Sequence, residues 1–231
     1  MSEAPSPVDP LEDVVVRPYR AADRERVRRI CFDTGYLGEP VAWQWRDVES
    51  FADLFTSYYT DHEPESAFVA ERDGVVEGYL LGCADSRRAT SEPAIFFRHV
   101  LRRGIALRPG TAGFVWRSFG DALVDGLRRR LQAPVGHDDR WPAHLHIDLL
   151  PSIRGLGVGS RLMRAWLDRL RALSVPGCHL QTVAENHNAI AFFSAVGFTP
   201  CGAPTLAPGL RSPGGDRHHI QLMVQALARQ Q

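Results

Sequence analysis

The chain has 231 residues, 44% of them hydrophobic and 23% charged, enough for one large domain or two small ones around a substantial core. Its 27 basic residues balance 27 acidic ones, so no net charge draws it to nucleic acid or an acidic membrane, and no apolar run reaches the ~18 residues of a membrane span. All the basic residues are arginine, which fits a GC-rich, bacterial type of genome; without lysine, Schiff-base chemistry and a P-loop are excluded.

The opening "MSEAPSPVDPLED" is acidic and Pro-rich, with neither the basic nor the apolar region of a signal peptide. Residues 1–12 are therefore expected to be a disordered tail, and 13–231 a single cytoplasmic domain. Cys31, Cys83, Cys178 and Cys201 are widely spaced without a CxxC pair, the pattern of reduced, buried thiols rather than disulfides or zinc ligands.

"VVVRPYR" (Val14–Arg20) reads as a β-branched strand stopped by Pro18. Asp23 is placed to cap a helix through "RERVRRICF", with Val27, Ile30 and Cys31 on one face. Gly35 to Tyr59 is rich in aromatics, and its later part reads as helical. Ala67–Glu71 and Val75–Cys83 flank Asp73-Gly74, a hairpin signal. Ile95–Leu107 and Phe114–Leu131 then predict helices inside an insertion spanning about 85–142.

"HLHIDLL" (His144–Leu150) is a strand, and "RGLGVGS" leads from it into a helix. There Val158, Leu162, Met163, Trp166, Leu167, Leu170 and Leu173 recur at helical spacing. His179–Val183 predicts a strand, "NAIAFFSAVGF" a short helix ending at Gly197, and Phe198–Cys201 and His219–Val224 two more strands joined by a Pro/Gly-rich loop. Such an order predicts an α/β fold with a mixed sheet.

A strand, then glycines, then a helix presents unpaired backbone N–H groups and a positive dipole end to an anion. Gly155, Gly157 and Gly159 alternate there. A single glycine would suit a tight turn; three suit a phosphate nest better. A Rossmann fingerprint fits poorly: Ser160 stands where its last glycine or alanine belongs, and no acidic residue follows at the required distance.

Arg154-Gly155-Leu156-Gly157-Val158-Gly159 does match [Q/R]-x-x-G-x-[G/A], and the chain resembles the GNAT superfamily of N-acetyltransferases. "ENHNAIAFFSAVGF", with Asn186, Ala189, Gly197 and Phe198, resembles a second motif of that family. "HLHIDLLP" with the turn also looks similar to the acetyltransferase-like C-terminal domain of O-GlcNAcase. The resemblance covers 144–224 well and 14–83 loosely, and leaves 85–142 unexplained. It implies a mostly antiparallel mixed sheet flanked by helices, with a helical insertion between the third and fourth strands.

The resemblance further implies acetyl-CoA as cosubstrate and an unidentified amine, small molecule or protein, as acceptor. Gly155, Leu156, Gly157, Val158, Gly159 and Ser160, after Arg154, would offer N–H groups to the pyrophosphate. Leu149 and Leu150 would offer their backbone to pantetheine, with one N–H polarising the thioester carbonyl. Asn186 would contact the cofactor arm. Phe193 stands where the family often has a tyrosine that reprotonates the leaving thiolate, so the acid is unassigned among Ser194, His187 and water.

Attack by an amine also calls for a base. His144, His146 and Asp148 share one strand face; Asp148 is the first candidate and His146 the second, against a structural reading as a polar pair within the sheet. A metal is not expected: "HLHID" lacks the final histidine of a binuclear metallohydrolase, and His144 and Asp148 would lie ~13 Å apart. Trp43, Trp45, Tyr58 and Tyr59 are candidates for an acceptor pocket or for the core. The rival function is a catalytically weak or silent acetyl-CoA-binding module. No nucleic-acid or membrane partner is expected, and a homodimer is left open.

Overall fold

The computed structural model describes residues 13–89, 92–127 and 138–227. The expected tail over 1–12 and the end of the second insertion helix, 128–131, lie outside them. In chain order the elements are β1 (Val14–Pro18), α1 (Arg24–Thr34), α2 (Val48–His62), β2 (Ala67–Arg72), β3 (Val75–Cys83), α3 (Glu92–Arg103) and α4 (Ala112–Leu127). There follow β4 (Ala143–Leu149), α5 (Val158–Ala172), β5 (Gly177–Val183), α6 (His187–Ala195), β6 (Thr199–Pro200), β7 (Thr205–Arg211) and β8 (Arg217–Ala226).

The strands form one sheet in the order β1-β2-β3-β4-β5-β8-β6, with β7 also on β8. Every pairing is antiparallel except β4 with β5. The fold is thus an α/β fold with an open, mostly antiparallel sheet, and the helices α3 and α4 are inserted between β3 and β4.

Strand alternation decides what each face buries. Leu80 and Leu145 pack with Ile153, Leu162, Met163, Trp166 and Leu170 on the α5 face, where α6 adds Phe193. Tyr79 and Leu81 pack with Val27, Ile30, Cys31, Trp45 and Phe51 on the α1–α2 face. The apolar stripe expected of α5 is buried from Val158 to Leu170, whereas Leu173, just past the helix, is 47% exposed.

Two local expectations need correction. Asp23 precedes α1 but makes no side-chain cap to it. A single 3-10 turn, Ala21–Asp23, intervenes, and the carboxylate turns back to accept the Arg20 N–H at 2.7 Å and both terminal nitrogens of Arg17 at 2.7 and 2.8 Å. The Pro/Gly-rich connection before β8 contains a strand, β7. It pairs at Thr205–Ile220 and Leu206–His219, then breaks register before Arg211–Arg217. Pro208 and Gly209 fall in that irregular stretch, where an edge strand tolerates them, and Asp121 of α4 captures the Gly209 N–H at 2.8 Å.

Candidate active site

β4 and β5 pair only at Ala143–Cys178 and His144–His179. Beyond those two pairs, β5 is held by β8 through Val183 and β4 by β3 through Leu149. The strands therefore part, leaving a gap that widens toward their C-terminal ends.

The ladder fixes which backbone groups face it. Leu150 N–H donates to Glu77 O of the neighbouring segment at 2.8 Å, so in antiparallel alternation Asp148 and His146 also address β3. Ile147 and Leu149 consequently turn their N–H and C=O groups into the gap. Leu149 and Leu150 are thus not equivalent: Leu149 alone has the backbone orientation expected of both. Its carbonyl already accepts the Arg154 Nε–H at 2.9 Å.

After β4, a 3-10 turn at Pro151–Ile153 delivers the chain to the glycines. Gly155 and Gly157 adopt φ of +75° and +69°, and a Cβ at either would meet nothing within 4 Å. These two serve the backbone conformation, and the space above them is open, which suits a large anionic group. Gly157 is also the residue capping α5, and no side chain caps that helix. Its first-turn N–H groups (Val158, Gly159, Ser160) lie at the positive end of the dipole beside the gap.

Gly159 does a different job. A Cβ there would approach the Phe192 ring at 3.0 Å, so its smallness lets α6 close on α5. The Arg154 side chain does not turn toward the nest either: besides Leu149 O, it donates from Nη2 to Gly38 O at 2.5 Å. That ties the α1–α2 connection to the end of β4.

On the α1–α2 side of β4, His144, His146 and Asp148 share a face as the alternation requires. The Tyr79 hydroxyl, opposite on β3, donates to Asp148 Oδ2 at 2.6 Å, and His146 Nε2 lies 2.9 Å from the same oxygen. With Asp148 as a carboxylate, Nε2 must carry the proton of that contact. Tyr79 is fully buried, and burial together with the neighbouring Asp148 charge drives its pKa well up, so it stays a donor.

Cys31 of α1 completes the cluster: its sulfur, a His146 nitrogen and an Asp148 oxygen all lie within 4.8 Å of one another. That is a metal-capable set the sequence reading did not group. Burial pushes the Cys31 thiol up, which favours the proton-bearing form over a thiolate ligand. His144 sits deeper, 2.7 Å from Ser86 Oγ and against His179 and Tyr59. Burial lowers its pKa to about 3, so it remains neutral.

The candidate pocket aromatics divide. Trp45 is 2% exposed in the core, with Nε1 donating to Ser50, and Tyr59 is likewise buried. Trp43 is 44% exposed and packs edge-on against Tyr36. Tyr58 is partly buried, its hydroxyl directed at Glu63. Missed from sequence was a second polar chain. Tyr36 Oη lies 3.0 Å from His218 Nε2, and His218 Nδ1 lies 3.2 Å from Glu185, which also holds His219. Burial raises the Glu185 pKa, but the bonds from His219 and His218 outweigh it and hold the group at about 2.

Asn186 caps α6, accepting the Ala189 N–H at 3.1 Å. Phe193 is 7% exposed, packed against Phe192 and Phe198. A cleft of about 430 Å³ between α2 and the insertion is lined by Arg46, Asp47, Arg103 and Arg108 among others. None of its lining residues belongs to the turn or the Asp148 cluster, and Asp47 pairs with both Arg103 and Arg108.

A split sheet with an uncapped, glycine-headed helix beside the split can seat an extended, phosphate-bearing acyl carrier, as an acyltransferase requires. The chain belongs to the acetyltransferase (GNAT) family, whose model matches residues 35–198. Among solved structures it is similar to SsHAT, 28% identical over 94% of this chain and 100% of that one, with a TM-score of 0.63. It also shares its fold with yncA from Salmonella typhimurium, solved with its cofactor acetyl-CoA (16% identity, 94% and 96% coverage, TM-score 0.56). The ribosomal-protein-alanine N-acetyltransferase of Brucella melitensis has the fold too (19% identity, 92% and 99% coverage, TM-score 0.53). No helix of the described residues is long and apolar enough to cross a membrane.

Proposed function

We propose that this protein transfers an acetyl group from acetyl-CoA to a primary amine by direct attack of the amine on the thioester. The observation that carries the reading is the open, uncapped turn at Gly155–Ser160, set against a gap into which Leu149 presents its backbone. Acetyl-CoA supplies the activated acyl group. The N–H groups of the turn bind its pyrophosphate, and those of Ile147 and Leu149 pair with the pantetheine arm as a neighbouring strand would. The Leu149 N–H is aimed where negative charge develops on the carbonyl oxygen.

The Asp148–His146 pair takes the proton that the attacking amine must lose, with Tyr79 fixing the carboxylate from beneath. Trp43 and the Tyr36–His218–Glu185 chain border the acceptor side. The leaving thiolate takes its proton from water, because Phe193 offers none. That missing hydroxyl favours one second reading, a domain that binds acetyl-CoA and turns over weakly.

Calorimetric titration with acetyl-CoA, followed by thiol release across a panel of primary amines, tests both. Saturable binding with thiol release on at least one amine supports the transferase. Binding without turnover on any amine favours the weak module, and no binding refutes both.

A further inference from the structure

α4 is amphipathic in the reverse of the usual sense for a surface helix. Its acidic residues point inward: Asp125 is 2% exposed and pairs with Arg217, while Asp121 pairs with Arg211. Phe114 and Val115, in its first turn, pack into the α1–α2 core, but its other large apolar residues point outward, with Trp116, Leu123 and Leu127 at 62%, 66% and 78% exposure and Phe119 and Val124 near 40%. Leu101 and Phe97 of α3 and Leu107 of the connecting turn extend the same apolar character, at 68%, 53% and 83%.

We propose that this face of α3 and α4 docks against the same face of a second copy of the chain. Eight side chains exposed to this degree present on the order of 1,000 Å², above the few hundred expected on a monomer and comparable with the ~800 Å² each partner contributes to a standard interface. The chain's own undescribed segments cannot supply such a cover. Residues 1–12, 90–91, 128–137 and 228–231 hold only Met1, Val8, Leu11, Leu131 and Val135 as large apolar residues, divided between two separate stretches.

The pattern is also self-complementary. Gly120 sits mid-stripe with nothing within 4 Å of a Cβ built on it, leaving room for a second helix to cross closely. An antiparallel crossing about a two-fold axis at Gly120 sets Trp116 of one copy against Val124 of the other, and the reverse. Arg117, an exposed charge on this face of α4, can lay its stem on the partner's Leu123 and keep its guanidinium at the rim.

Sedimentation equilibrium on the full chain tests this. At tens of micromolar the wild type should have twice the 25.7 kDa chain mass. Leu123→Glu and Trp116→Glu should each weaken self-association at least 100-fold while circular dichroism stays unchanged. Leu173→Glu, on an exposed leucine elsewhere, should leave the dimer intact. A monomeric wild type overturns the proposal, whether or not it floats with vesicles of anionic phospholipid. So does a dimer that survives both substitutions in folded protein.

Discussion

The glycine turn and the Asp148 cluster lie at the end of one strand, yet they are built in opposite ways. The turn is contiguous: Arg154 to Ser160 form it with torsions that two glycines permit, and no distant side chain is needed to shape it. The cluster is assembled from α1, β3 and β4, with Cys31, Tyr79, His146 and Asp148 brought together only by folding. Under the proposed function, binding would fall to local backbone and chemistry to tertiary structure, so substitutions should separate the two.

The largest separation is expected at Asp148. Asp148→Asn should lower kcat by about 10²–10⁴-fold, the range for loss of a positioned base, with acetyl-CoA affinity within about twofold of wild type by calorimetry. A comparable loss of binding would mean the two regions are one unit. The converse is Gly157→Asp, which puts a carboxylate and a Cβ at φ +69° in the nest. It should weaken acetyl-CoA binding by about 100-fold or more, with Tm shifted only a few degrees.

His144 sharpens the boundary of the cluster. Its pKa is depressed to about 3 by burial, so between there and its ordinary value near 6.5 the unfolded chain binds the proton and the folded one does not. Stability should therefore fall as pH drops through that window, and His144→Gln should flatten the fall by up to ~1.4 kcal/mol per pH unit. Urea titrations at several pH values read this, and thiol release at neutral pH should change little. Tyr79→Phe is the mildest change, leaving the ring but not the donor. It should reduce kcat about tenfold, the scale of one charge-assisted hydrogen bond, with acceptor KM nearly constant. An equal rise in KM would place Tyr79 in acceptor binding instead.

The same contrast explains what could be read from the sequence. The turn, the α5 stripe, the β2–β3 hairpin and the shared face of His144, His146 and Asp148 all follow from periodicity or local turn chemistry. Tyr79 could not be found that way, because its position opposite Asp148 depends on pairing β3 with β4 across an intervening pair of helices. The Tyr36–His218–Glu185 chain likewise joins three remote segments. Trp45 and Tyr59 illustrate a different limit: an aromatic residue in a loop or on a helix does not declare whether it lines a pocket or fills the core. Gly159 is indistinguishable in sequence from Gly155 and Gly157, because only the docking of α6 sets Phe192 against it.

The two-pair contact between β4 and β5 has a mechanical consequence. The sheet amounts to two antiparallel leaves, β1 to β4 and β5 to β8, stitched at one end and unzipped at the other. If the pantetheine arm enters the opening as proposed, it would do more than occupy space: its amides would close the seam and make the leaves continuous. Amide protons of Ile147 and Leu149 should then exchange quickly in the free protein beside slower neighbours at His146 and Asp148, and become protected when the seam is filled.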